Sequence, residues 1–140
     1  MSQESTTPDL VELTRRACES FSRRDLDAIL SFVAPDAVLD VSPAGLGSYE
    51  GQAAIRGFLE DWISAYEELE FAPEQILDLG NGVVVAVVRQ NARPAGSTGY
   101  VQMHQGEVFV WVEGGIARIT HYNDPNEARA AAERLAGSRG

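Results

Sequence analysis

The sequence predicts an α+β domain in which a curved antiparallel sheet bends around helices. Apolar residues recur at helical spacing through most of residues 10–66, whereas β-branched runs separated by turn residues fill residues 83–123. Helices that precede a run of hairpin-connected strands are typical of this class. The 140 residues suit one domain, 1–140, and we expect its ends, 1–6 and 137–140, to be disordered tails.

Two helices are predicted at the start of the chain. Thr7-Pro8-Asp9 is typical of a helix start, with a hydroxyl cap, proline at the first position and an acid near the positive end of the dipole. The apolar residues that follow at helical spacing are Leu10, Leu13, Ala17 and Phe21. Asp25 can cap a second, short helix, which we expect Pro35 to end.

A strand, a loop and a third helix come next. Residues 37–41 form a short apolar segment that predicts a strand, and residues 42–50 are rich in Gly, Ser and Pro, as loops are. Gly51 then opens a helix. Its apolar face comprises Ile55, Phe58, Leu59, Trp62 and Tyr66.

The remaining chain has strand periodicity until its last helix. Residues 69–79 predict a strand with a break at Ala72-Pro73, and Gly80-Asn81-Gly82 predicts a hairpin turn. Further strands are predicted over 83–93, 100–112 and 116–123, with a loop at 94–99. Asp124 is then expected to cap an alanine-rich helix.

Composition excludes several functional classes. The net charge of −10 disfavours binding to nucleic acids and to anionic membranes. No apolar run approaches the roughly 20 residues of a membrane helix, and the polar start lacks signal-peptide features, so we expect a cytoplasmic protein. One cysteine precludes an internal disulfide, and two distant histidines predict no metal site. The eleven basic residues are all arginine, which is typical of a GC-rich bacterial genome.

Four segments in order resemble SnoaL-like domains of the nuclear-transport-factor-like superfamily. The junction between the first helices reads FSRRDLDAI over 21–29, and the entry to the first strand reads APDAV over 34–38. The start of the third helix reads YEGQAAIR over 49–56, and residues 115–124 resemble the last strand. The resemblance therefore spans almost the whole chain.

This resemblance implies a cystatin-like α+β barrel with a conical pocket, homodimerisation through the sheet, and a small apolar, oxygen-bearing molecule as the partner. The superfamily includes ketosteroid isomerase, polyketide cyclases, limonene epoxide hydrolase and scytalone dehydratase, and also non-enzymatic binding and transport domains. Two hypotheses follow. One is an acid–base isomerase, cyclase, hydrolase or dehydratase without metal or other cofactor. The other is a non-catalytic ligand-binding or dimerisation module with a vestigial pocket.

Two carboxyl groups are candidates for acid–base chemistry, because an apolar pocket raises carboxyl pKa values towards neutrality. Asp40 ends the first strand, close to where ketosteroid isomerase places its general base, although an ungapped comparison puts Val41 there. Glu107 shares a strand face with Phe109 and Trp111, and the resemblance places it at the oxyanion-hole acid. The alternatives are a solvent-facing Asp40 and an exposed cross-strand charge at Glu107.

His121 is the third catalytic candidate, since it shares a face with Ala117, Ile119 and Asn123 that the resemblance points into the pocket. In the catalytic hypothesis Glu107 and Asp40 act as acid and base, while His121 and Asn123 hold an oxygen. A hydrogen-bonded structural histidine is the alternative. The residues expected to bind the ligand are Phe58, Trp62, Phe109, Ile119, Asn123 and Tyr100.

No catalytic set of these superfamily members is found complete at the matching positions of this sequence. The oxyanion tyrosine of ketosteroid isomerase has no counterpart, because Ala17 and Cys18 stand around that position. The Asp-Arg-Asp set of the epoxide hydrolase is also not evident, although Arg89 and Arg93 lie on a central strand. The sequence thus predicts a pocket more firmly than a reaction.

Overall fold

The computed structural model describes residues 9–139, which form four α-helices and six β-strands. The helices are α1 (Leu10–Ser22), α2 (Leu26–Ser31), α3 (Gln52–Ser64) and α4 (Pro125–Arg139). The strands are β1 (Val33–Asp40), β2 (Ser48–Glu50), β3 (Tyr66–Gly80), β4 (Val83–Pro94), β5 (Val101–Val112) and β6 (Gly115–Tyr122). Within the described residues, no helix is both long and apolar enough to cross a membrane.

Local capping sets where the helices begin. The Asp9 carboxylate accepts a hydrogen bond from the backbone N–H of Glu12 at 3.2 Å and caps α1. The predicted cap at Thr7 and the predicted tail at 1–6 lie outside the described residues. At the other end, residues 137–139 continue helix α4.

The six strands form one open, curved sheet in the order β2-β1-β6-β5-β4-β3. The predicted α+β class, with the sheet curved around helices, is therefore confirmed. The pairs are antiparallel except for β1 and β6, which run parallel. Register shifts in the β3–β4 pair, one of them between Pro73 and Gln75, bend the sheet at the predicted break.

The entry to the sheet differs from the sequence-based prediction. Helix α2 ends at Ser31, and Pro35 lies inside β1 instead of ending a helix. Pro35 is tolerated there because it falls within a register shift of the β1–β6 pair, between Val33 and Val38. The expected loop at 42–50 contains β2, which pairs with the end of β1.

The two sheet faces carry separate apolar clusters, which the alternation of β4 illustrates. Val84, Ala86 and Val88 belong to the main core between the concave face and helices α1–α3. Val83 and Val85 belong to a second cluster, where α4 packs on the convex face. The concave side is where a cavity can form between sheet and helices.

Gly106 permits the close approach of α4 to β5. A Cβ placed on Gly106 would lie 2.3 Å from Ala128 Cβ and 3.2 Å from Pro125 Cα, so α4 would have to move. We expect Gly106→Ala to lower the free energy of unfolding by about 1–3 kcal/mol, measured by urea denaturation. Gly57→Ala is the control: a Cβ there meets nothing within 4 Å, and alanine should stabilise α3 by about 0.5–1 kcal/mol. Equal stabilities for wild type and Gly106→Ala would show that the packing is loose.

Candidate active site

A cavity of about 90 Å³ lies between the concave face of the sheet and helices α1–α3. Apolar side chains make most of its wall. They are Ala17, Phe21, Ile29, Val33, Leu39, Val41, Ile55, Phe58, Leu59, Trp62, Phe71, Phe109, Ile116 and Ile119. Three lining residues carry titratable groups: Cys18, Glu107 and His121. Polar chemistry in this cavity therefore depends on a small number of side chains.

Glu107 and His121 form a buried pair in this apolar wall. The β5–β6 register places them directly opposite each other, and His121 Nδ1 is hydrogen-bonded to Glu107 Oε2. Their side chains are only 9% and 6% exposed. A carboxylate that accepts from Nδ1–H fixes the imidazole tautomer, so Nε2 of the neutral ring carries the lone pair.

The pair changes the protonation of His121. Burial is the largest single influence and lowers the pKa of His121, but the Glu107 charge, its hydrogen bond and the side chain of Asn123 together outweigh burial and raise that pKa above 6.5. Burial, followed by the charge of Glu107, raises the pKa of the Cys18 thiol far above its ordinary value. Cys18 is therefore a neutral thiol and not a nucleophile.

Trp62 adds a second polar group beside the imidazole. Its ring meets the His121 ring edge to face, with centroids 5.9 Å apart. Both Trp62 Nε1 and His121 Nε2 are buried and have no hydrogen-bond partner among residues 9–139. Because buried polar atoms are nearly always satisfied in proteins, this indole N–H and this imidazole nitrogen are available to a bound molecule.

Six of the sequence-predicted site residues line the cavity together. They are Glu107, His121, Phe58, Trp62, Phe109 and Ile119. Glu107 is 7% exposed and is therefore not the exposed cross-strand charge that was its alternative interpretation. The pairing of Glu107 with His121 was not predicted, because the β5–β6 register depends on the length of the turn between them.

Asp40 corrects the sequence-based assignment. Leu39 and Val41 line the cavity, whereas Asp40 between them is on the other side of the strand and pairs with Arg118 Nη2 at 2.7 Å. Burial tends to raise the pKa of Asp40, but hydrogen bonds from Ser42 and the Arg118 charge outweigh burial and lower it. Asp40 therefore stays ionised and outside the cavity, as the ungapped comparison that favours Val41 implied.

We expect Asp40→Asn to leave any activity of the cavity unchanged. The variant loses the Arg118 ion pair and should lower the free energy of unfolding by about 1 kcal/mol. The measurement pairs urea denaturation with the rate of deuterium exchange into a small ketone in D₂O, followed by NMR. A large loss of exchange in a folded Asp40→Asn protein would contradict the placement of Asp40 outside the site.

Tyr100 and Asn123 also differ from expectation. Tyr100 precedes the first residue of β5, is 62% exposed, and donates a hydrogen bond to Glu68 Oε1 at 2.6 Å. Asn123 follows the last residue of β6, is exposed, and is absent from the cavity wall. The Asn123 side chain contributes to the raised pKa of His121, but it makes no hydrogen bond of ordinary length to the imidazole.

A bulge in β6 changes which residue at the start of that strand faces the cavity. Val110 pairs with Arg118 and Trp111 with Ile116, which leaves Ala117 as the extra residue. Ile116, and not Ala117, therefore lines the cavity. Alternation within β6 cannot reveal such a bulge, since the extra residue is defined only by its partner strand.

The remaining polar candidates lie elsewhere. His104 Nε2 and Arg89 both contact Glu74, at 3.3 and 2.9 Å, away from the cavity wall. Arg93 pairs with glutamates of β3, so no Asp-Arg-Asp set of the described residues enters the cavity.

Asp124 caps α4, accepting from the backbone N–H of Asn126 at 2.8 Å. Residues 9–139 contain no group of three His, Cys, Asp or Glu side chains arranged to hold a metal ion.

Glu107→Gln should reverse the pH dependence that His121 contributes to stability. In the wild type the folded-state pKa of His121 is raised above 6.5, so the pair stabilises the fold fully below pH 6.5 and this contribution is lost as pH rises through the folded-state pKa. Without the Glu107 charge, burial dominates and the pKa should fall below 6.5. Stability then declines as pH falls.

This reversal is measured by NMR titration of the His121 imidazole and by urea denaturation across the neutral range. Glu113→Gln, which removes an exposed carboxylate from the β5–β6 turn, is the control for net charge. An unchanged His121 pKa in Glu107→Gln would show that the carboxylate does not govern the imidazole.

The fold is of the nuclear-transport-factor-like kind. The chain belongs to the SnoaL-like domain family, whose model matches residues 14–121. The predicted resemblance is thereby confirmed. No curated protein sequence matches the chain.

Solved structures share the fold at low sequence identity. A protein of unknown function from Burkholderia pseudomallei, described as NTF2-like, is 21% identical, with 86% of this chain and 95% of that chain covered and a TM-score of 0.73. TerC, co-crystallised with polyporic acid, is 20% identical, covers 88% and 97%, and has a TM-score of 0.71. A candidate SnoaL-like polyketide cyclase from Shewanella denitrificans is 14% identical, covers 92% and 99%, and has a TM-score of 0.71. At these identities the likeness establishes the fold alone.

Proposed function

We propose that this protein is an acid–base catalyst that moves a proton on a small, apolar, oxygen-bearing molecule bound in the cavity. The observation that carries the proposal is the Glu107–His121 pair, buried in an otherwise apolar wall with His121 Nε2 unpartnered. A histidine oriented by a carboxylate and screened from water is a common general base. The reaction class is that of an isomerase, cyclase or dehydratase working without a nucleophile.

The reacting group in this proposal is a carbonyl with hydrogens on the adjacent carbon. Neutral His121 accepts one of these hydrogens at Nε2 as a proton, and the electron pair of the broken C–H bond forms an enolate. Glu107 stabilises the resulting imidazolium through Nδ1–H. Trp62 donates its indole N–H to the oxygen on which negative charge develops. Return of the proton to the same or another carbon completes exchange or isomerisation.

The Glu107–His121 arrangement revises the roles expected from the sequence. Asp40 is outside the cavity, so Glu107 and His121 share the acid–base work, and Trp62 takes the place of Asn123 as the group that holds an oxygen. TerC, which was crystallised with polyporic acid, and the candidate polyketide cyclase are structural neighbours that favour aromatic or polyketide-like ligands here. The apolar wall favours the same kind of ligand.

Deuterium exchange tests the function without knowledge of the natural substrate. Acetophenone in D₂O is incubated with the protein, and loss of the methyl ¹H signal is followed by NMR. We expect exchange above the buffer rate, rising with pH as His121 loses its proton, with the inflection above pH 6.5. Binding of acetophenone without exchange would favour the non-catalytic module instead.

A further inference from the structure

Glu107 has one carboxylate oxygen that no other residue uses. Its Oε2 is hydrogen-bonded to His121, whereas Oε1 makes no hydrogen bond within residues 9–139. Oε1 also keeps some accessible surface, and Glu107 lines the cavity. Because each oxygen of an ionised carboxylate is an acceptor, Oε1 is free to accept a hydrogen bond from a molecule bound there.

His121 is the only cavity-lining group among residues 9–139 that can balance the charge of this carboxylate. The lining residues include no arginine, and the chain contains no lysine. When His121 is neutral, Glu107 is therefore a buried charge without a counter-ion, which is a costly arrangement. Burial, followed by the Glu107 charge, raises the pKa of the Cys18 thiol, so the negative potential reaches the α1 side of the cavity. A bound cation would supply the missing charge.

Aromatic rings form much of the remaining wall. The rings that line the cavity are Phe21, Phe58, Trp62, Phe71 and Phe109. The centroids of Phe58 and Trp62 lie 5.7 Å apart, and Trp62 in turn meets the imidazole of His121 beside Glu107. Aromatic faces attract cations, most strongly where water is excluded. This wall favours an organic cation over an inorganic ion, because the carbon atoms of the ligand can pack against the rings.

We propose that the cavity binds a protonated amine carried on an aromatic or other cyclic skeleton, with the ammonium N–H donating to Glu107 Oε1. The proposal goes beyond the proposed function, since it rests on the charge of Glu107 and not on proton transfer by His121. An ammonium group donates and does not accept, and it forms a charge-assisted hydrogen bond with a carboxylate. An anion of the same size is disfavoured, because Glu107 repels it.

The charge of His121 controls this binding. A protonated imidazole already neutralises Glu107 and repels a second cation, so the amine and the proton compete. Burial lowers the pKa of His121, but the Glu107 charge and its hydrogen bond outweigh burial, and the pKa lies above 6.5. The affinity for a protonated amine should therefore rise with pH across the neutral range.

The other groups around the pair do not add a competing titration. Cys18 of α1 stays a neutral thiol, and Glu19 and Arg15 act on it with opposite signs. Ala86 pairs with Glu107 from β4, and Trp62 meets His121 from α3. Neither of these two residues titrates, so His121 is the group whose protonation decides the charge of the cavity.

Three benzyl compounds that differ in one polar group provide the test. Benzylamine is a cation, benzyl alcohol is neutral and phenylacetate is an anion. The amine and the alcohol can both donate to Oε1, so their difference isolates the charge. At pH 8 NMR titration should show benzylamine binding about tenfold more tightly than benzyl alcohol, and phenylacetate binding more weakly than either. The indole N–H signal of Trp62 should move, whereas that of Trp111, which does not line the cavity, should stay.

Glu107→Gln assigns the preference to the carboxylate. Glutamine keeps the size of the side chain and removes its charge, so the affinity ratio of benzylamine to benzyl alcohol should fall to one or below. Glu113→Gln, which removes an exposed carboxylate from the β5–β6 turn, should keep the tenfold preference. A preference that survives in Glu107→Gln would overturn the proposal.

The pH dependence of the wild type gives a second measurement that needs no folded variant. Benzylamine should bind about threefold or more weakly at pH 6 than at pH 8, because His121 is then protonated. The affinity for benzyl alcohol should change little over the same range. An affinity for benzylamine that does not depend on pH would overturn the proposal.

The amine site and the catalytic proposal can fail separately. A preference for benzylamine that depends on Glu107 and on pH supports the amine site even if acetophenone undergoes no exchange. Exchange of acetophenone without that preference supports the catalytic pair and overturns the amine site. Failure of benzylamine to bind, or binding that leaves the Trp62 signal unmoved, also overturns the amine site.

Discussion

His121→Asn should lower the rate of acetophenone exchange by about 10²- to 10⁴-fold, the usual contribution of a positioned general base. Asparagine retains an N–H donor near the position of Nδ1, so Glu107 keeps a partner and the fold is preserved. It removes Nε2, to which the proposal assigns the proton transfer. The substitution therefore separates the chemistry from the structural role of the buried pair.

The measurement is the NMR exchange rate at saturating ketone, with the far-ultraviolet circular dichroism spectrum as a check of folding. The pH dependence gives a second readout, because the inflection due to His121 should vanish in His121→Asn. A folded variant with wild-type exchange would remove His121 from the mechanism, and the structural histidine would then be the correct interpretation.

Trp62→Phe should lower exchange by about 10²- to 10³-fold, which is the loss measured when one oxyanion donor is removed from other enzymes. Phenylalanine keeps an aromatic ring against His121 and removes the indole N–H, which has no partner within residues 9–139. Because charge develops on the ketone oxygen during proton transfer, kcat should fall more than the affinity for acetophenone.

Trp111→Phe is the matched control for Trp62→Phe. Trp111 Nε1 donates to Thr14 Oγ1 at 3.1 Å, and Trp111 lies in the main core without lining the cavity. This control should lose about 1 kcal/mol of unfolding free energy and keep its exchange rate. Equal losses of exchange in the two variants would indicate a packing effect and contradict an oxyanion role for Trp62.

The fold could be predicted from the sequence because the spacing of apolar residues changes from helical to strand-like along the chain. Capping residues also indicate where helices begin. Asp25 and Asp124 act as helix caps as predicted, whereas Asp9, which was predicted to lie inside the first turn, itself caps α1. Boundaries near Pro35 were harder to predict, because a proline that ends a helix and a proline at a strand bulge have the same local sequence. Short β2 was missed because three residues in a glycine-rich loop show no period.

The site was predictable wherever alternation alone decides orientation. Glu107, Phe109 and His121 line the cavity as alternation predicts, because the bulge at Ala117 lies before Ile119 and His121 and does not change their side of the sheet. Asp40 was misplaced because a shift of one residue moves a side chain to the other face.

A crystal structure of the protein with acetophenone tests the central claim most directly. The account predicts the ketone in the cavity, with its oxygen within hydrogen-bond distance of Trp62 Nε1 and its methyl carbon about 3–3.5 Å from His121 Nε2. A ketone bound outside the cavity, or bound inside it with the methyl group away from the imidazole, would contradict the claim that Glu107 and His121 form the acid–base centre.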